Sequence, residues 1–345
     1  MTLLMGPRVE GWRLDAITPD GEHIATLPLI RDSGRHDWAM DRANPLGMTC
    51  RIGGVMPDGS PLPDLRGVWL RGTYRCNGAE HILGTWVLAR RPRKLTRYDA
   101  TLTLTGVDPT AVLSRTRLRQ TIAYPAGTPI AETVQGLIAT YAPSLRATVG
   151  DTDETLSTSL GFDAGTTVLD VCNKLLEVAV YRPLSPDRLG NVLAERWAAY
   201  DQRPTVGTFG RDDYSLRFQP EVDADDNELT RPDQIIARGK GGQDASPVEA
   251  MWPEYAIPDA ITETITGDYA DAAAAALAAR RRWSEAQARS LTAPLTGPWQ
   301  PVEPGDILGW TWPRHGVDIR AELTGFATQW VLSSPTVYQL REVPL

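Results

Sequence analysis

The even spread of glycine and proline along this chain constrains its fold more than any other feature. The sequence has 30 Gly and 27 Pro in 345 residues, with short runs of alternating apolar and polar residues between them. Residues 100–106 (ATLTLTG), for example, alternate Leu102 and Leu104 with threonines, so one face can be buried and the other solvated. This pattern is typical of antiparallel sandwiches and barrels, and we expect most of the chain to be β.

A hairpin is predicted within the N-terminal hundred residues. Residues 67–74 and 84–89 have strand composition, and Asn77-Gly78 lies between them. Asn-Gly adopts positive φ at low cost, as the tight turns of hairpins require. We expect the first hundred or so residues to be all-β.

Two segments in the middle of the chain change to helical spacing. In the first, we expect Thr128 to cap the helix, Pro129 to occupy its first turn and Pro143 to end it. In the second, Thr167 and Asp170 resemble a capping box. The apolar residues at helical spacing are Ile130, Val134, Leu137, Ile138 and Tyr141 in the first helix, and Val168, Cys172, Leu175, Leu176 and Ala179 in the second.

Downstream, the pattern predicts a strand, turn and returning strand over 181–197, a strand over 234–239, and terminal strands around 307–312, 317–326 and 329–343. A long helix is expected over 268–291, with Asp268 and Asp271 near its N-terminus and Arg289 near its C-terminus. Its predicted apolar face comprises Tyr269, Ala273, Ala276, Leu277, Trp283 and Leu291.

Arg280 interrupts the apolar face of this long helix. A guanidinium there must extend to solvent, pair with a carboxylate or meet a partner protein. We therefore include Arg280 among the candidate interface residues.

Composition excludes several functional classes. A net charge of -8 and a pI near 5.2 give no general attraction to nucleic acid or anionic lipid. We expect no membrane span, since the longest apolar stretch, 272–279, ends at three arginines, and no secretory signal, since the N-terminus lacks a basic region followed by an apolar one. Of the 35 basic residues 32 are arginine, which suggests a GC-rich genome.

Metal and cofactor sites are not expected. The three scattered cysteines, Cys50, Cys76 and Cys172, favour buried free thiols, and Cys50, Cys76 and His81 lack the spacing of a zinc site. Residues 223–228 begin like a calcium loop, but Glu228 stands where such a loop needs glycine and Gln234 where it needs the bidentate glutamate. A solvated acidic loop is the better interpretation.

No recognised catalytic motif names a reaction, and we predict that the chain is not an enzyme. The four histidines are far apart in sequence. Paired carboxylates for glycoside hydrolysis stay possible in a chain with 43 acidic residues, because sequence does not give their separation.

A basic cluster stands out in this acidic chain: Arg90, Arg91, Arg93, Lys94 and Arg97, with Arg115, Arg117 and Arg119 downstream. Such a run is either a solvated loop or an interface to an acidic protein surface, since arginine pairs well with carboxylates and only Tyr98 is available for base stacking. Five tryptophans in predicted strands, Trp69, Trp86, Trp197, Trp310 and Trp330, are interpreted as core or subunit-contact residues, with a sugar platform as the alternative.

The order of segments resembles the tail-tip hub, or minor tail protein, of long-tailed phages (siphoviruses), which is related in fold to the baseplate hub of contractile tails. The segments that carry this resemblance are 83–90 (LGTWVLAR), 100–108 (ATLTLTGVD), 164–176 (AGTTVLDVCNKLL), 187–197, 232–241 (PDQIIARGKG) and 299–306 (WQPVEPGD). It extends over about residues 65–340, in order. Arg280 and the acidic loop at 223–228 have no counterpart in this pattern.

The resemblance implies a mainly β fold of two small antiparallel β-barrels with an α/β insert. We therefore predict an N-terminal β-barrel-like domain over 1–120, a middle α/β unit over 121–200 and a second barrel-like domain over 201–345. Such hubs form a homotrimeric ring in the virion that joins the tail tube and distal tail protein to a central fibre or spike, near the end of the tape-measure protein. The protein would be made in the host cytoplasm.

Two other functions stay open from the sequence. The first is a carbohydrate-binding or glycan-hydrolysing tail-associated β-protein. The second is an ordinary cytoplasmic β-rich enzyme, which no specific residue pattern favours.

Overall fold

The computed structural model describes residues 8–40, 45–96, 100–150, 153–210, 224–225, 231–239, 248–255, 257–287, 290–312 and 317–343. The described elements, in chain order, are β1 (Glu10–Ile17), β2 (His23–Thr26), β3 (Arg35–Ala39), β4 (Leu46–Gly53), β5 (Trp69–Cys76), β6 (Ala79–Arg90), β7 (Arg93–Leu95), β8 (Ala100–Val107), α1 (Ala111–Arg115), β9 (Ile122–Tyr124), α2 (Ile130–Tyr141), β10 (Ala147–Val149), β11 (Leu160–Phe162), α3 (Val168–Val178), β12 (Ser185–Pro186), β13 (Val192–Ala194), β14 (Thr205–Gly210), β15 (Ala224–Asp225), β16 (Gln234–Gly239), β17 (Val248–Trp252), β18 (Thr262–Gly267), α4 (Ala272–Gln287), β19 (Ser290–Gly297), β20 (Ile307–Trp312), β21 (Val317–Gln329) and β22 (Thr336–Glu342). The fold is mainly β, as the sequence predicts.

One large sheet joins the two ends of the chain. Its strand order is β15-β19-β22-β21-β3-β4-β8-β6-β5-β1-β2, and β7, β14 and β20 pair beside this path. The link is antiparallel pairing of β3 with β21, which places Trp38 opposite Phe326. Among the described strands the two ends of the path, β15 and β2, do not pair with each other. The two separate barrels and the boundaries at 120 and 200 therefore stay predictions.

The predicted hairpin is confirmed. Strands β5 and β6 pair in antiparallel register with Cys76 opposite Ala79, and the connecting Asn77 and Gly78 have φ of 51° and 84°. Positive φ at both turn positions matches the twist of the flanking strands. The alternating segment 100–106 is also a strand, since Leu104 of β8 is buried opposite Cys50 of β4.

The interior of the large sheet is built from tryptophans packed on glycines. A Cβ atom at Gly106 would lie 2.6 Å from Cβ of Trp86, and one at Gly34 would lie 2.2 Å from the Trp330 ring. Trp330 donates its indole N–H to Nδ1 of the buried His36 at 2.9 Å. The five tryptophans expected in the core or in subunit contacts, Trp69, Trp86, Trp197, Trp310 and Trp330, are all buried within the chain.

The middle unit packs α2 and α3 against a three-stranded sheet of β10, β13 and β12. At α3, Thr167 caps the helix as predicted, since its Oγ1 accepts from the Asp170 N–H at 3.1 Å, and Cys172 is buried. The prediction for α2 was wrong at its first residue. Pro129 is the N-cap, because the Thr128 hydroxyl instead donates to the Pro125 carbonyl at 2.7 Å.

Helix α4 packs on the sheet β17-β16-β18, and two predictions for it were wrong. It begins after Asp271, whose carboxylate accepts from the Ala274 N–H at 2.7 Å, and Leu291 belongs to β19 rather than to the helix. Its fully buried residues are Ala274, Ala275, Ala279 and Ser284. Leu277 and Trp283 of the predicted face pack against the same core, whereas Ala273 is exposed. Small alanines let the helix lie close to Ile235 and Ala237 of β16.

Candidate functional site: a basic surface strip and a buried arginine cluster

Four of the predicted interface residues lie together along the end of β6 and on β7. Arg90, Arg91, Arg93 and Lys94 are all exposed, and we call them the basic strip. Arg97 lies outside the described residues. Arg91 approaches Asp64, with 3.8 Å between Nη1 and Oδ1, which is a surface ion pair of small energetic value.

The basic strip ends on β7, a short strand at the edge of the described sheet. Among the described strands, β7 pairs only with β8, with Lys94 opposite Thr101. Leu95 follows Lys94 and is 67% exposed. An edge strand that carries cations beside an exposed leucine forms a surface suited to an acidic protein segment.

Two other arginines of the predicted interface, Arg280 and Arg117, make contacts within the chain, whereas Arg115 and Arg119 are exposed. Arg280 donates two hydrogen bonds of 2.9 Å to the carboxylate of Asp201, and its guanidinium lies 4.7 Å from the centre of the Trp252 ring. Of the outcomes expected for Arg280, pairing with a carboxylate is thus the one observed. Arg117 donates to the Gly165 carbonyl at 2.7 Å, in the turn before α3.

A second charged site was missed from the sequence: a cluster of arginines around Glu322. This carboxylate is 1% exposed. Its Oε1 accepts from Arg182 at 3.1 Å and from Arg203 at 2.9 Å, and its Oε2 accepts from Arg341 at 2.5 Å and from the Tyr200 hydroxyl at 3.1 Å. We call these five residues the Glu322 cluster.

The electrostatics of the Glu322 cluster favour the ionised carboxylate. Burial alone would raise the pKa of Glu322, but the hydrogen bond and charge of Arg341 and the charge of Arg182 lower it below its usual value. Burial, reinforced by the charge of Glu322, raises the pKa of Tyr200 to about 12. The phenol is therefore a neutral donor at physiological pH.

A cavity of about 530 Å³ opens beside the Glu322 cluster, between β21, β22, the β12–β13 hairpin and α4. Two of the other carboxylates that line it are ion-paired, Glu285 with Arg281 and Glu303 with Arg188. Each oxygen of the buried Glu322 carboxylate already accepts two hydrogen bonds. Glu322 is thus placed to hold the chain together rather than to attack a substrate.

The three cysteines and His36 are buried, whereas His23 is exposed and His315 lies outside the described residues. Cys50, Cys76 and Cys172 are buried free thiols, as predicted, and burial raises the pKa of Cys50 and of Cys172 to about 12. Burial lowers the pKa of His36 to about 3, with Arg188 adding to the effect. Within the ranges that the structure describes, His, Cys, Asp and Glu form no group of three or more that could hold a metal ion.

Two further expectations concern the acidic loop at 223–228 and a membrane-spanning helix, and the structure describes only part of the chain in which to check them. The acidic loop at 223–228 lies outside the described residues, apart from the short strand Ala224–Asp225. Among the helices that the structure describes, none combines the length and the apolar character needed to cross a membrane.

The fold is similar to solved phage tail proteins. A tail protein from Neisseria meningitidis matches with a TM-score of 0.66 at 15% identity, and the match covers 97% of both chains. The 43 kDa tail protein of prophage MuSo2 from Shewanella oneidensis matches with a TM-score of 0.62 at 11% identity, and the match covers 96% of this chain and 98% of that one.

A secretion-system protein is also similar in fold. It is an Escherichia coli component of the type VI secretion system with structural similarity to the T4 phage tail proteins gp27 and gp5, and it matches with a TM-score of 0.52 at 12% identity, covering 92% of this chain and 74% of that one. No protein-family model matches this sequence, and neither does any curated protein. The chain therefore shares the fold of phage tail proteins along nearly its whole length.

Proposed function

We propose that this chain is a structural, non-catalytic component of a phage tail tip. The observation that carries the proposal is the fold similarity to the Neisseria tail protein, which covers 97% of both chains. A match of that extent leaves little of this chain for a separate catalytic domain. The segments that resemble tail-tip hubs, over about residues 65–340, favour the same role.

In this proposal three copies form a hub ring in the virion. The ring joins the tail tube and distal tail protein on one side to a central fibre or spike on the other, near the end of the tape-measure protein. The similarity to a type VI secretion component that itself resembles gp27 and gp5 supports a baseplate-type position. Closed rings of identical subunits require a head-to-tail interface, and a strand such as β7, at the edge of the described sheet, is suited to one.

The basic strip is the surface that we assign to this interface. Arg90, Arg91, Arg93 and Lys94 are exposed on a chain whose net charge is -8, so an acidic surface on a neighbouring copy is a suitable partner. Arg280, which already pairs with Asp201, keeps an intramolecular role in this proposal.

The experiment that tests the tail assignment is localisation in particles. Antibodies raised against the purified chain are applied to intact phage particles released by cells that carry its gene, and gold labelling is viewed by electron microscopy. Labelling at the end of the tail distal to the capsid is expected. Labelling of the capsid, or absence of the chain from purified particles by mass spectrometry, would contradict the assignment.

The glycan alternative is tested separately. The purified chain is incubated with cell-wall preparations, and released sugars are measured. No release is expected, because Glu322 is saturated by its donors and Glu285 is ion-paired. Sustained release that Glu303→Gln abolishes would favour the hydrolase instead.

A further inference from the structure

A second cavity, of about 240 Å³, lies where the β1–β2 turn, strand β5 and the β12–β13 turn meet. Two arginines belong to its lining, Arg71 of β5 and Arg146, which directly precedes β10. Asp20 and Gly21 of the β1–β2 turn and Asn191 of the β12–β13 turn also line it. The cavity is thus bounded by the large sheet on one side and the middle unit on the other.

The two guanidinium groups lie against the same turn. Arg146 donates from Nη2 to the Asp20 carbonyl at 2.6 Å. On the next residue, Gly21, a Cβ atom would lie 3.4 Å from Nη2 of Arg71. Arg71 is only partly exposed and is held in β5 between Asp15 of β1 and Thr85 of β6.

The charged groups around Arg71 and Arg146 determine whether the cavity can hold an anion. In the part of the chain that the structure describes, neither Arg71 nor Arg146 forms a salt bridge. The acidic groups whose charges reach Arg71 are engaged elsewhere: Asp15 accepts from Arg13 and Thr26, and Asp187 accepts from Asn191 with both oxygens.

Burial lowers the pKa of Arg71, and the nearby charge of Arg146 lowers it as well, against the attraction of Asp15. The guanidinium nevertheless stays charged at any physiological pH. Two like charges held at one cavity favour binding of an anion, because the negative charge offsets the repulsion between them.

We propose that the cavity between Arg71 and Arg146 binds one oxyanion, a carboxylate or a phosphate group. Guanidinium groups offer paired N–H donors that match the oxygens of either group. The Asn191 side chain adds a further polar group to the lining, and the volume admits a single compact group rather than a large ligand. The inference does not rest on the proposed tail function.

Substituting Asp20 tests whether the cavity attracts negative charge. Asp20 is exposed and lines the cavity, so its negative charge opposes a bound anion. Removing that charge with Asp20→Asn strengthens oxyanion binding if the site is real. Unchanged or weaker oxyanion binding in Asp20→Asn would contradict an anion held between the two arginines.

The oxyanion also ties two parts of the fold together. Arg71 belongs to the large sheet, whereas the Arg146 carbonyl accepts from the Val192 N–H of β13 in the middle unit at 2.8 Å. An anion that contacts both guanidinium groups bridges these units. Because ligands that bind only the folded state stabilise it, the unfolding temperature rises with anion concentration.

The experiment uses the full-length chain, with calorimetric titration and thermal unfolding at constant ionic strength set by sodium chloride. The two probes are inorganic phosphate and the blocked dipeptide acetyl-Asp-Glu-amide, which separate a free phosphate from a carboxylate presented by a protein. Arg71→Ala and Arg146→Ala are each expected to weaken binding of the preferred probe at least about tenfold, since each removes charge-assisted hydrogen bonds.

Arg119→Ala is the matched control, because it removes an exposed arginine that does not line the cavity. It is expected to leave binding unchanged, and Asp20→Asn is expected to tighten it. The inference is supported if one probe binds saturably, more weakly in Arg71→Ala and Arg146→Ala and more tightly in Asp20→Asn than in the wild type. The probe that binds then identifies the source of the oxyanion. Absence of saturable binding of both probes to the wild type, or equal affinity in wild type and Arg71→Ala, would overturn it.

Discussion

Arg182 donates a hydrogen bond of 3.1 Å to Oε1 of Glu322, although 140 residues separate the two in the chain. The contact joins the segment after α3 to β21 of the large sheet. Arg203 shares the same oxygen at 2.9 Å. One buried carboxylate thereby balances several arginines, and its loss would leave their charges facing one another.

Replacing Glu322 by Gln therefore has a large cost. Three arginines would keep only a neutral acceptor, and breaking a buried ion pair in this way costs about 3–5 kcal/mol. Denaturant unfolding of wild type and variant measures the difference. The matched control is Glu249→Gln, which removes the surface ion pair with Arg238 and should cost less than about 1 kcal/mol. Equal effects of the two substitutions would contradict the role assigned to Glu322.

The unfolding free energy of the wild type and that of Glu322→Gln should depend differently on pH. The folded state lowers the pKa of Glu322 below its ordinary value of 4.5. A lowered folded pKa gives stability that is complete above the unfolded pKa and is lost as pH falls through the folded one. The gap in unfolding free energy should thus be constant from neutral pH to about pH 5 and narrow below the ordinary pKa of glutamate. A gap that widens on acidification would refute this account.

Much of the local structure follows from short signals. Asn77-Gly78 specifies the hairpin, and Thr167 with Asp170 specifies the start of α3, because each acts within a few residues of chain. The Glu322 cluster has no such signal, since its members come together only when distant segments pack. The face of α4 is predicted only in part: Leu277 and Trp283 pack against its core as expected, but the fully buried positions include Ala274, Ala275 and Ala279, because close approach to β16 selects small side chains.

The two middle-unit helices give a test of capping. Thr167→Ala removes the hydroxyl that accepts from the Asp170 N–H and should cost about 1 kcal/mol in unfolding free energy. Thr128→Ala should cost less, because the Thr128 hydroxyl donates to the Pro125 carbonyl and does not cap α2, whose first N–H, that of Ile130, donates to the Glu154 carbonyl. A larger loss of unfolding free energy in Thr128→Ala than in Thr167→Ala would contradict this expectation and indicate that Thr128 caps α2, as the sequence predicts.

The packing of tryptophan on glycine gives a test of the core. In Gly106→Ala the new methyl group would lie 2.6 Å from Cβ of Trp86 and 2.8 Å from Cγ of Met48, and overpacking of this kind costs about 1–3 kcal/mol. Gly136→Ala in α2 places its methyl group in open space and should stabilise the helix by about 0.5–1 kcal/mol. The unfolding temperature should therefore fall in Gly106→Ala and rise in Gly136→Ala.

Charge reversal tests the basic strip. Arg91→Glu combined with Arg93→Glu should reduce self-association while the unfolding free energy of the subunit changes little, because exposed substitutions rarely alter folding. The control combines Arg35→Glu with Arg119→Glu, which makes the same charge change at exposed positions outside the strip. Unchanged association of the strip variant, or equal loss in the control, would remove the strip from the interface.

The native mass of the purified chain tests the central claim most directly. The subunit mass is 37.8 kDa, and native mass spectrometry over a range of concentrations separates the possible assemblies. A hub ring predicts a species of three subunits that grows with concentration and is lost on charge reversal in the basic strip. A stable dimer, or a chain that stays monomeric at the highest concentrations, would contradict the ring.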